Sequence, residues 1–518
     1  MSVDTLRETF HINRINSFEL QDFLTAQTYR PEITKAKNHI LSLENCTLQS
    51  VCTKKIQQGK SPKYASEGLK CIKPRNTNNM LVSLEDIDWI DVSTKEKNQN
   101  QKLSYSDIVI TRSGSGTIGR ASIYSYQDEV YTNDHLFIVR PDKADSHYVC
   151  SYLRSYYGQR LLESGISGST GQLNLSNEHI KSLRLFKPDS IVQKYIGDKV
   201  RQAEKLRLFK DMLQENITSY FDGFHPSLDM NSKIYRAPIN TLAHRLDADF
   251  YLPQYIELDD YFESKGKQVI ELSSYVKNQI SGPSIPSSKF YDSVQGVSVL
   301  QTKDIREYYI NHKSCSKIED LYAKELNRFE VGAGTLLMGM SGTIGRTALI
   351  FDEKEKFIIN QRVAGLILKD KKIAGYLCAY LNHPFGKMQL NRNSVGGVQA
   401  NISLEDIVST KVLIDDRADA EEISDSFIQS LVANELSTQL IDAAITLVDA
   451  LIEGQLTEDQ LIQAQQALED GDNTLDKAIL SKLSSEGYAV EGATPLFSDI
   501  DELYSLLASA NSATDSED

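Results

Sequence analysis

The sequence lacks the residue clusters that would indicate a catalytic or metal-binding protein. Its six cysteines form no Cys-x-x-Cys pair and no metal-ligand spacing, which predicts free thiols in a cytoplasmic protein. Its nine histidines include no His-Glu-x-x-His motif, and no nuclease-like Asp and Glu-x-Lys cluster follows a predicted pair of core strands. No apolar run reaches the roughly 18 residues of a membrane-spanning helix, and residues 1–10 contain no apolar segment typical of a signal peptide.

An overall excess of positive charge, which nucleic-acid-binding proteins commonly carry, is also missing, because the formal net charge is −15. The charge is unevenly distributed along the chain. Residues 415–518 hold 24 acidic and three basic side chains, so this part carries −21 and residues 1–414 carry +6. A mildly basic body followed by an acidic end permits a nucleic-acid surface in the body without proving one.

The chain does contain a long internal repeat. The hexapeptide Ser115-Gly-Thr-Ile-Gly-Arg120 returns as Ser341-Gly-Thr-Ile-Gly-Arg346, 226 residues later. Other matches occur in the same order on both sides, with offsets between 222 and 231; one of them pairs Asn174 with Asn401. Ordered matches at such a long period indicate two copies of one domain, and two copies usually carry two related binding sites.

Each copy is predicted to contain short strands, then a helix. The strand-like runs cover residues 107–111, 121–124 and 135–139 in the first copy, and 335–338, 348–351 and 363–368 in the second. A helix is expected next in each copy, near residues 146–164 and 371–390. This order predicts an α+β domain with a curved, mostly antiparallel sheet.

A long amphipathic helix is predicted after each copy. Apolar residues recur every three or four positions across residues 190–221 and again across residues 420–456. A helix of about 32 residues is about 48 Å long. Two such stripes in one chain most simply pack on each other as a coiled coil. The alternative is that each helix packs separately on its own domain.

A β-rich domain with this glycine turn, followed by a long helix and then by both again, resembles the specificity (S) subunit of type I restriction-modification systems. The resemblance covers residues 15–456, and its other markers are Arg245-Leu-Asp-Ala-Asp-Phe-Tyr-Leu-Pro253 and Leu451-Ile-Glu-Gly-Gln-Leu-Thr457. It implies an α+β fold, with two repeated β-rich target recognition domains separated by long helices that form an antiparallel coiled-coil spacer. A small acidic helical C-terminal extension is expected in addition.

The same resemblance implies a recognition subunit without catalytic activity. Each target recognition domain would read one half of a split site in double-stranded DNA. The helices would dock two modification (methyltransferase) subunits and, through them, restriction or translocase subunits. No metal and no cofactor is expected in this chain, because S-adenosylmethionine would belong to the partner methyltransferase. No membrane partner is expected.

The expected domain boundaries follow from these patterns. They are residues 1–188 for the first target recognition domain, 189–235 for the first spacer helix and linker, 236–414 for the second target recognition domain, 415–456 for the second spacer helix and 457–518 for the acidic extension. Short helices are expected in the extension near residues 460–468, 475–483 and 498–507, with disorder from residue 508. The extension departs from the family, and it could shield the DNA groove, cap the spacer helices, bind a basic partner or only aid solubility.

The predicted DNA contacts are polar or basic residues around the repeated turn and on loops that differ between the copies. They are Lys60, Lys63, Arg112, Ser113, Ser115, Thr117, Arg120, Ser341, Thr343, Arg346, Arg362 and Arg392. The turn itself is assigned to Gly116, Gly119, Gly342 and Gly345, which allow positive φ. The arginine after each turn is expected to contact a DNA phosphate or to form a structural ion pair. For Gln172, Asn174, Gln399 and Asn401, backbone contacts or turn capping are expected.

The two copies differ most in the loops before their turns. The first copy has a basic stretch and the second has Ser281-Gly-Pro-Ser-Ile-Pro286 at the corresponding place. The basic residues are Lys54, Lys55, Lys60, Lys63, Lys70, Lys73 and Arg75. Loops that differ in this way are candidates for reading two different half-sites.

Two motifs point to other functions, and both are weak. Gly114-Ser-Gly-Thr-Ile-Gly119 matches a dinucleotide-binding fingerprint, but the second copy has Met340 in place of Gly114 and the flanking pattern is strand–turn–strand. Asn382-His-Pro-Phe385 resembles a motif of adenine methyltransferases, but the first copy has Arg154-Ser-Tyr-Tyr157 there, which favours a turn at a helix end. A DNA-modifying enzyme with its own readers and a protein-binding adaptor of a defence complex are the rival hypotheses.

Overall fold

The structure is a computed structural model of the 518-residue chain. It describes residues 26–114, 116–168, 173–223, 247–291, 296–396 and 400–515, together with residues 15, 17, 20, 236, 239, 242 and 245. Within these segments no helix combines the length and the apolar character that crossing a lipid bilayer requires.

The chain forms two compact units. The first unit contains residues 1–207 and 435–518, and the second contains residues 208–434. Each unit therefore holds one copy of the repeat together with one half of each long helix. The acidic extension belongs to the first unit.

The first copy consists of short strands and four helices, followed by the first long helix. The strands are β1 (Asn45–Thr47), β2 (Gln57–Gln58), β3 (Tyr64–Ala65), β4 (Leu69–Ile72), β5 (Asp88–Ile90), β6 (Ile108–Thr111), β7 (Ala121–Ile123), β8 (Val130–Thr132), β9 (Leu136–Val139), β10 (Ile166–Ser167), β11 (Asn174–Leu175) and β12 (Arg184–Phe186). The helices are α1 (Pro31–Ser42), α2 (Ser146–Arg154), α3 (Tyr156–Ser164), α4 (Asn177–Ser182) and the long α5 (Ser190–Asp222).

The second copy repeats this order. Its strands are β13 (Val269–Glu271), β14 (Val276–Ser281), β15 (Val297–Leu300), β16 (Ser316–Ile318), β17 (Glu330–Gly332), β18 (Thr335–Gly339), β19 (Thr347–Ile350), β20 (Lys356–Ile359), β21 (Val363–Leu368) and β22 (Lys411–Leu413). Its helices are α6 (Pro253–Lys265), α7 (Asp320–Glu325), α8 (Ala374–Asn382), α9 (Pro384–Asn393), α10 (Leu404–Val408) and the long α11 (Arg417–Ile452).

Matching sheets in the two copies confirm the predicted duplicated α+β fold. One sheet is fully antiparallel, with strand order β2-β9-β6-β7 in the first copy and β14-β21-β18-β19 in the second. The other is mixed, with orders β3-β5-β4-β8 and β16-β15-β20-β17 and one parallel pair in each, β4–β8 and β15–β20. A two-stranded antiparallel pairing joins the start and end of each copy, β1 with β12 and β13 with β22.

Buried tyrosines fix the first helix of each helix pair to the closing strand. On α2, the hydroxyl of Tyr148 donates to the carbonyl of Phe186 at 2.8 Å. On α8, the hydroxyl of Tyr376 donates to the carbonyl of Leu413 at 2.5 Å. Since both rings are fully buried, each hydroxyl needs a partner, and the same solution occurs in both units.

The long helices are part of the domain cores. In the second unit Phe221 of α5 and Phe427 of α11 join one hydrophobic cluster with the α8 and α9 side chains, and the rings of Phe221 and Tyr376 lie 5.2 Å apart. Each side chain is at most 1% exposed. Burial of these helical stripes, rather than helix propensity, is what stabilises helices of this length.

The two long helices contact each other within each unit. In the first unit Ser437 Oγ of α11 donates to the carbonyl of Ala203 of α5 at 2.8 Å. In the second unit burial, together with the nearby Asp419 carboxylate of α11, raises the pKa of Tyr220 of α5 to about 12. The predicted contact between the two long helices is therefore present in each unit.

One local prediction was wrong in the same way in both copies. A single helix was expected over residues 146–164 and over 371–390, and the structure has two helices in each place. Ser155 and His383 adopt extended backbone between them, and each side chain caps the following helix through the main-chain N–H of Gly158 or Phe385. A new N-cap ends one helix and starts the next, although the apolar pattern continues.

The acidic extension folds into α12 (Glu458–Glu469), α13 (Thr474–Leu480), a hairpin of β23 (Leu483–Ser484) and β24 (Gly487–Tyr488), and α14 (Ile500–Asp515). Disorder was predicted from residue 508, whereas α14 continues to Asp515. The reason is a tertiary contact, because Ala510 is buried and Asn511 accepts a hydrogen bond from Lys205 Nζ at 3.0 Å. The three helices match the expected regions with shifted ends.

Candidate nucleic-acid interface

Residues 116–120 of the first hexapeptide form a tight turn between β6 and β7. Gly116 and Gly119 have φ angles of +73° and +80°. A Cβ at Gly116 would meet no atom within 4 Å, so glycine is needed for its backbone conformation and not for space. The turn is closed by main-chain bonds from Thr117 N–H to Gly114 O at 3.2 Å and from Arg120 N–H to Thr117 O at 3.3 Å.

The second hexapeptide forms the same turn between β18 and β19. Gly342 and Gly345 have φ angles of +76° and +90°, and Arg346 N–H donates to Thr343 O at 3.3 Å. The predicted positive-φ turn is therefore confirmed at all four glycines. Since the turn joins two strands rather than a strand and a helix, it does not have the geometry of a dinucleotide-binding loop.

Each turn lies beside two other loops, and together they form a rim at one edge of the domain. The first rim comprises residues 112–114, 116–120, 133–135 and 174, and the second comprises 340–346, 360–362 and 401. Ser113 pairs through its backbone with Asn174, as Ser341 does with Asn401. Both serine side chains also contact the middle loop: Ser113 Oγ lies 2.5 Å from His135 Nδ1, and Arg362 Nη1 donates to Ser341 Oγ at 3.3 Å.

These pairings agree with the backbone role expected for Asn174 and Asn401. The serine that follows each of them caps a short helix, Ser176 for α4 and Ser403 for α10. Gln172, Gln399 and the predicted contact Ser115 lie outside the described residues. The position occupied by His135 in the first rim holds Arg362 in the second, so the rims share a framework but differ in chemistry.

A fourth matched element at the rims was missed from the sequence. A Cβ on Gly59 would lie 2.0 Å from Asn133 O, and one on Gly282 would lie 1.7 Å from Ile359 O. Only glycine allows the chain after β2 and after β14 to pass this close to the middle loop. The signal was present in the sequence, because the two glycines are 223 residues apart, within the range of the other offsets. It places Lys60, which is exposed, at the first rim.

The arginines of the two rims differ in whether their guanidinium groups are hydrogen-bonded within the protein. Arg112 and Arg346 are partly exposed, and within the described part of the chain their guanidinium groups have no hydrogen bond or ion pair. Arg120 instead folds back on its own turn, with Nη2 donating to Gly116 O at 2.8 Å and Nη1 donating to Asn78 Oδ1. Thr343 Oγ1 is buried without a hydrogen-bond partner among the described residues.

Two predicted contacts are held elsewhere in their units. Arg392 pairs with Asp259 at 2.6 Å, and its guanidinium lies 4.3 Å from the centre of the Phe250 ring. Lys63 pairs with Asp91 at 2.6 Å, and this hydrogen bond raises the pKa of Lys63. Neither belongs to the rim of its unit as defined above.

The basic stretch of the first copy is largely neutralised within the domain. Its ion pairs join Lys63 to Asp91, Lys70 to Asp128, and both Lys73 and Arg75 to Asp88. Lys54, Lys55 and Lys60 form no ion pair within the described structure. Of these three lysines only Lys60 lies at the first rim, because Lys54 and Lys55 precede β2, whose antiparallel register with β9 places them at the other end of the sheet.

The methyltransferase-like tetrapeptide is a structural helix junction. The Asn382 amide accepts from Thr347 N–H at 3.0 Å and donates to Thr347 O at 2.7 Å and to Cys378 O at 2.8 Å. Its side chain is 2% exposed. An amide with these partners is not available to hold a substrate base. Among the described residues no group of three or more His, Cys, Asp or Glu side chains is arranged to hold a metal ion.

Comparison with known proteins gave one family and several solved structures. The family model described as "Type I restriction modification DNA specificity domain" matches residues 32–218 and 255–443. A type I restriction-modification S subunit from M. genitalium is 12% identical, with a TM-score of 0.38, over 82% of this chain and 95% of that chain. The HsdS subunit from Thermoanaerobacter tengcongensis is 12% identical, with a TM-score of 0.26, over 80% and 97%. Among curated proteins nothing matches.

Proposed function

The chain belongs to the family of type I restriction modification DNA specificity domains, and we propose that it is the DNA sequence-specificity subunit of a restriction-modification or related defence complex. In this proposal each copy of the repeat reads one half of a bipartite site in double-stranded DNA. The observation that carries the proposal is the matched rim in each unit, where a positive-φ turn, an arginine without a protein partner and a variable loop lie together.

Two kinds of contact are proposed at the rims. Arg112 and Arg346 have free guanidinium groups, so we assign them to phosphates, which fix register without carrying sequence information. They are not equivalent positions, because Met340 stands in the second rim where Arg112 stands in the first. Of the other rim residues, those that differ between the copies are assigned to the bases, which are read through edge-specific hydrogen bonds. His135 against Arg362, and the Lys60 loop against the loop after Gly282, are the leading positions of this kind.

The long helices are assigned to spacing and assembly. α5 contains 33 residues, which corresponds to about 50 Å, and half-sites on one face of DNA lie about 34–36 Å apart. Helices of this length can hold two readers at a fixed register. We further propose that their exposed faces dock two methyltransferase subunits, which supply S-adenosylmethionine chemistry, and that restriction subunits join through them.

We assign no catalytic step to this chain. The tetrapeptide at Asn382 is committed to a helix junction, which weakens the rival hypothesis of a DNA-modifying enzyme with its own readers. The adaptor hypothesis differs in its dependence on salt. DNA binding through several phosphates weakens steeply as salt increases, whereas docking of a protein on an acidic surface need not follow that slope.

The decisive experiment selects DNA from a random duplex library. The chain is co-expressed with the methyltransferase encoded beside it, and the methyltransferase alone serves as the control. Two short motifs at one fixed gap are expected, and exchanging residues 1–188 for those of another reader should change one motif only. Bound DNA without any motif, at every salt concentration tried, would refute the proposal and favour the protein adaptor.

A further inference from the structure

The acidic extension is anchored on the first half of α5 by a buried ion pair. Lys199 Nζ lies 2.6 Å from Asp476, and the two side chains are 0% and 1% exposed. The Tyr195 hydroxyl donates to Asp476 Oδ1 at 2.5 Å, and the Tyr504 hydroxyl donates to the other carboxylate oxygen. One carboxylate of α13 is thus satisfied by α5 on one side and by α14 on the other.

Further contacts run along the same half of the helix. At the residue before α5, Asp189 N–H donates to Glu458 at 2.8 Å, and one turn later Lys194 pairs with Glu469 at 2.5 Å. Lys205 reaches α14 through Asn511, as described above. Residues 457–518 hold 14 acidic and two basic side chains, so the extension meets the lysines of α5 with complementary charge.

The internal repeat provides a comparison for this face of α5, because α11 is the equivalent helix of the second copy. The two long helices can be aligned through the place where each packs closely against the first helix of the helix pair in its domain. This alignment gives an offset of 227 residues between α5 and α11. A Cβ on Gly197 would lie 2.4 Å from Asp145 at the start of α2, and a Cβ on Gly375 at the start of α8 would lie 2.4 Å from Ser424 O. Gly197 and Ser424 are 227 residues apart and face the same point of their domains.

At this offset the two helix faces have opposite character. The extension contacts Tyr195 and Lys199 of α5, each 0% exposed. Their counterparts on α11 are Glu422, which is exposed, and Ser426, which is partly exposed. The two helices are duplicates, so we attribute the burial of Tyr195 and Lys199 to the extension and not to the domain core.

We propose that the extension is a built-in ligand of α5 that makes the two long helices unequal binding surfaces for the methyltransferase. A methyltransferase that docks on the first half of α11 meets an open face, whereas the equivalent face of α5 is occupied. The second copy can reach α5 only from the fraction of molecules whose extension is undocked, and its apparent affinity is reduced by that fraction. This inference rests on the proposed docking of methyltransferase on these helices.

The test is a titration of the full chain with methyltransferase, followed by native mass spectrometry. We expect two binding steps whose dissociation constants differ by at least about tenfold, equivalent to about 1.4 kcal/mol. In a chain ending at Leu456, the second step should tighten until the two constants agree within about threefold. Since truncation uncovers Tyr195 and Lys199, this variant also carries Tyr195→Glu and Lys199→Ser, the residues at the equivalent positions of α11.

A second variant keeps the folded extension but weakens its docking. The full-length chain with the same two substitutions should show an intermediate ratio, and hydrogen exchange across α5 checks that the helix remains folded. Two equal steps in the unmodified chain, or an unchanged ratio after truncation, would overturn the inference while leaving the specificity-subunit function intact. Absence of methyltransferase binding by every variant would overturn the assembly role itself and this inference with it.

Discussion

Lys199 and Asp476 form an ion pair of 2.6 Å in which neither side chain is more than 1% exposed. Burial alone would raise the pKa of Asp476, but the Lys199 ammonium and the hydroxyls of Tyr195 and Tyr504 outweigh it and hold the pKa below its usual value. The carboxylate therefore stays charged inside the protein. A fully satisfied buried pair fixes one docking geometry, and removal of either partner leaves an uncompensated charge.

The first prediction follows from the cost of leaving one charge of this buried pair without its partner. Asp476→Ala should lower the apparent free energy of unfolding by about 3–5 kcal/mol and speed amide exchange across α13 and α14. The double variant Lys199→Met, Asp476→Leu should recover most of that loss, because it removes both charges. Lys194→Met is the matched control, since its ion pair with Glu469 is half exposed, and little change is expected. Equal losses for Asp476→Ala and Lys194→Met would contradict the prediction.

The second prediction concerns the duplicated turn. Gly116→Ala should destabilise the first unit by about 1–2 kcal/mol, because alanine must then adopt a left-handed backbone. Gly116→Asn should cost less, since asparagine tolerates that region. Gly332→Ala is the control: it has no positive φ, and its Cβ would meet Glu355 O at an ordinary 3.4 Å. Thermal melts of the three variants check the order, and an equal shift for both alanine variants would argue against it.

Much of the fold could be predicted because the internal repeat presents the same order of strands, glycine turn and helices twice. The strand expected at residues 363–368 is β21 with the same ends, since charged residues, Arg362 before it and Lys369 after it, bound a continuous apolar run. The helix pairs were harder. Apolar spacing runs unbroken through Ser155, and only the hydrogen bond from Gly158 N–H to its hydroxyl reveals a second N-cap. The end of α14 depends on Lys205, more than 300 residues away.

The candidate interface was predictable only where residues act through the local backbone. The turn glycines could be assigned from the repeat, because positive φ is a local requirement. For the charged candidates, the sequence did not show which are paired within the protein and which are available to bind DNA. Arg392 is engaged by Asp259, 133 residues away, and Lys63 by Asp91, while Arg112 has no such partner in the described structure. Long-range pairing decides which cations remain free for a ligand.

The third prediction tests the phosphate assignment. Arg112→Gln and Arg346→Gln should each weaken binding to all DNA sequences and reduce the slope of log affinity against log salt by about 1. The preferred motif should stay the same. Arg392→Gln is the control, because its charge is already paired with Asp259, and the slope should not change. A relaxed motif with an unchanged slope would instead identify the arginine as a base contact.

The fourth prediction uses a partly buried carboxylate that joins α11 to the first domain. Asp449 Oδ2 accepts a hydrogen bond from Tyr156 N–H at the start of α3, at 3.0 Å. Desolvation by burial raises the pKa of Asp449 to about 6, against an ordinary value of 3.8. The folded chain therefore keeps this proton up to about pH 6, whereas the unfolded chain releases it near pH 4. Its contribution to stability is complete below that lower value and is lost as the pH rises through 6.

Asp449→Asn keeps an acceptor for Tyr156 N–H and removes the titration. The variant should equal the parent near pH 4 and exceed it at pH 7 by about 2–3 kcal/mol in apparent unfolding free energy. Glu422→Gln removes a carboxylate from an exposed site on α11 and serves as the control. Denaturant titrations at pH 4, 5, 6 and 7 give the comparison. If Asp449→Asn were equally stabilising at every pH, the gain would come from packing or hydrogen bonding, and Asp449 would not be the titrating group.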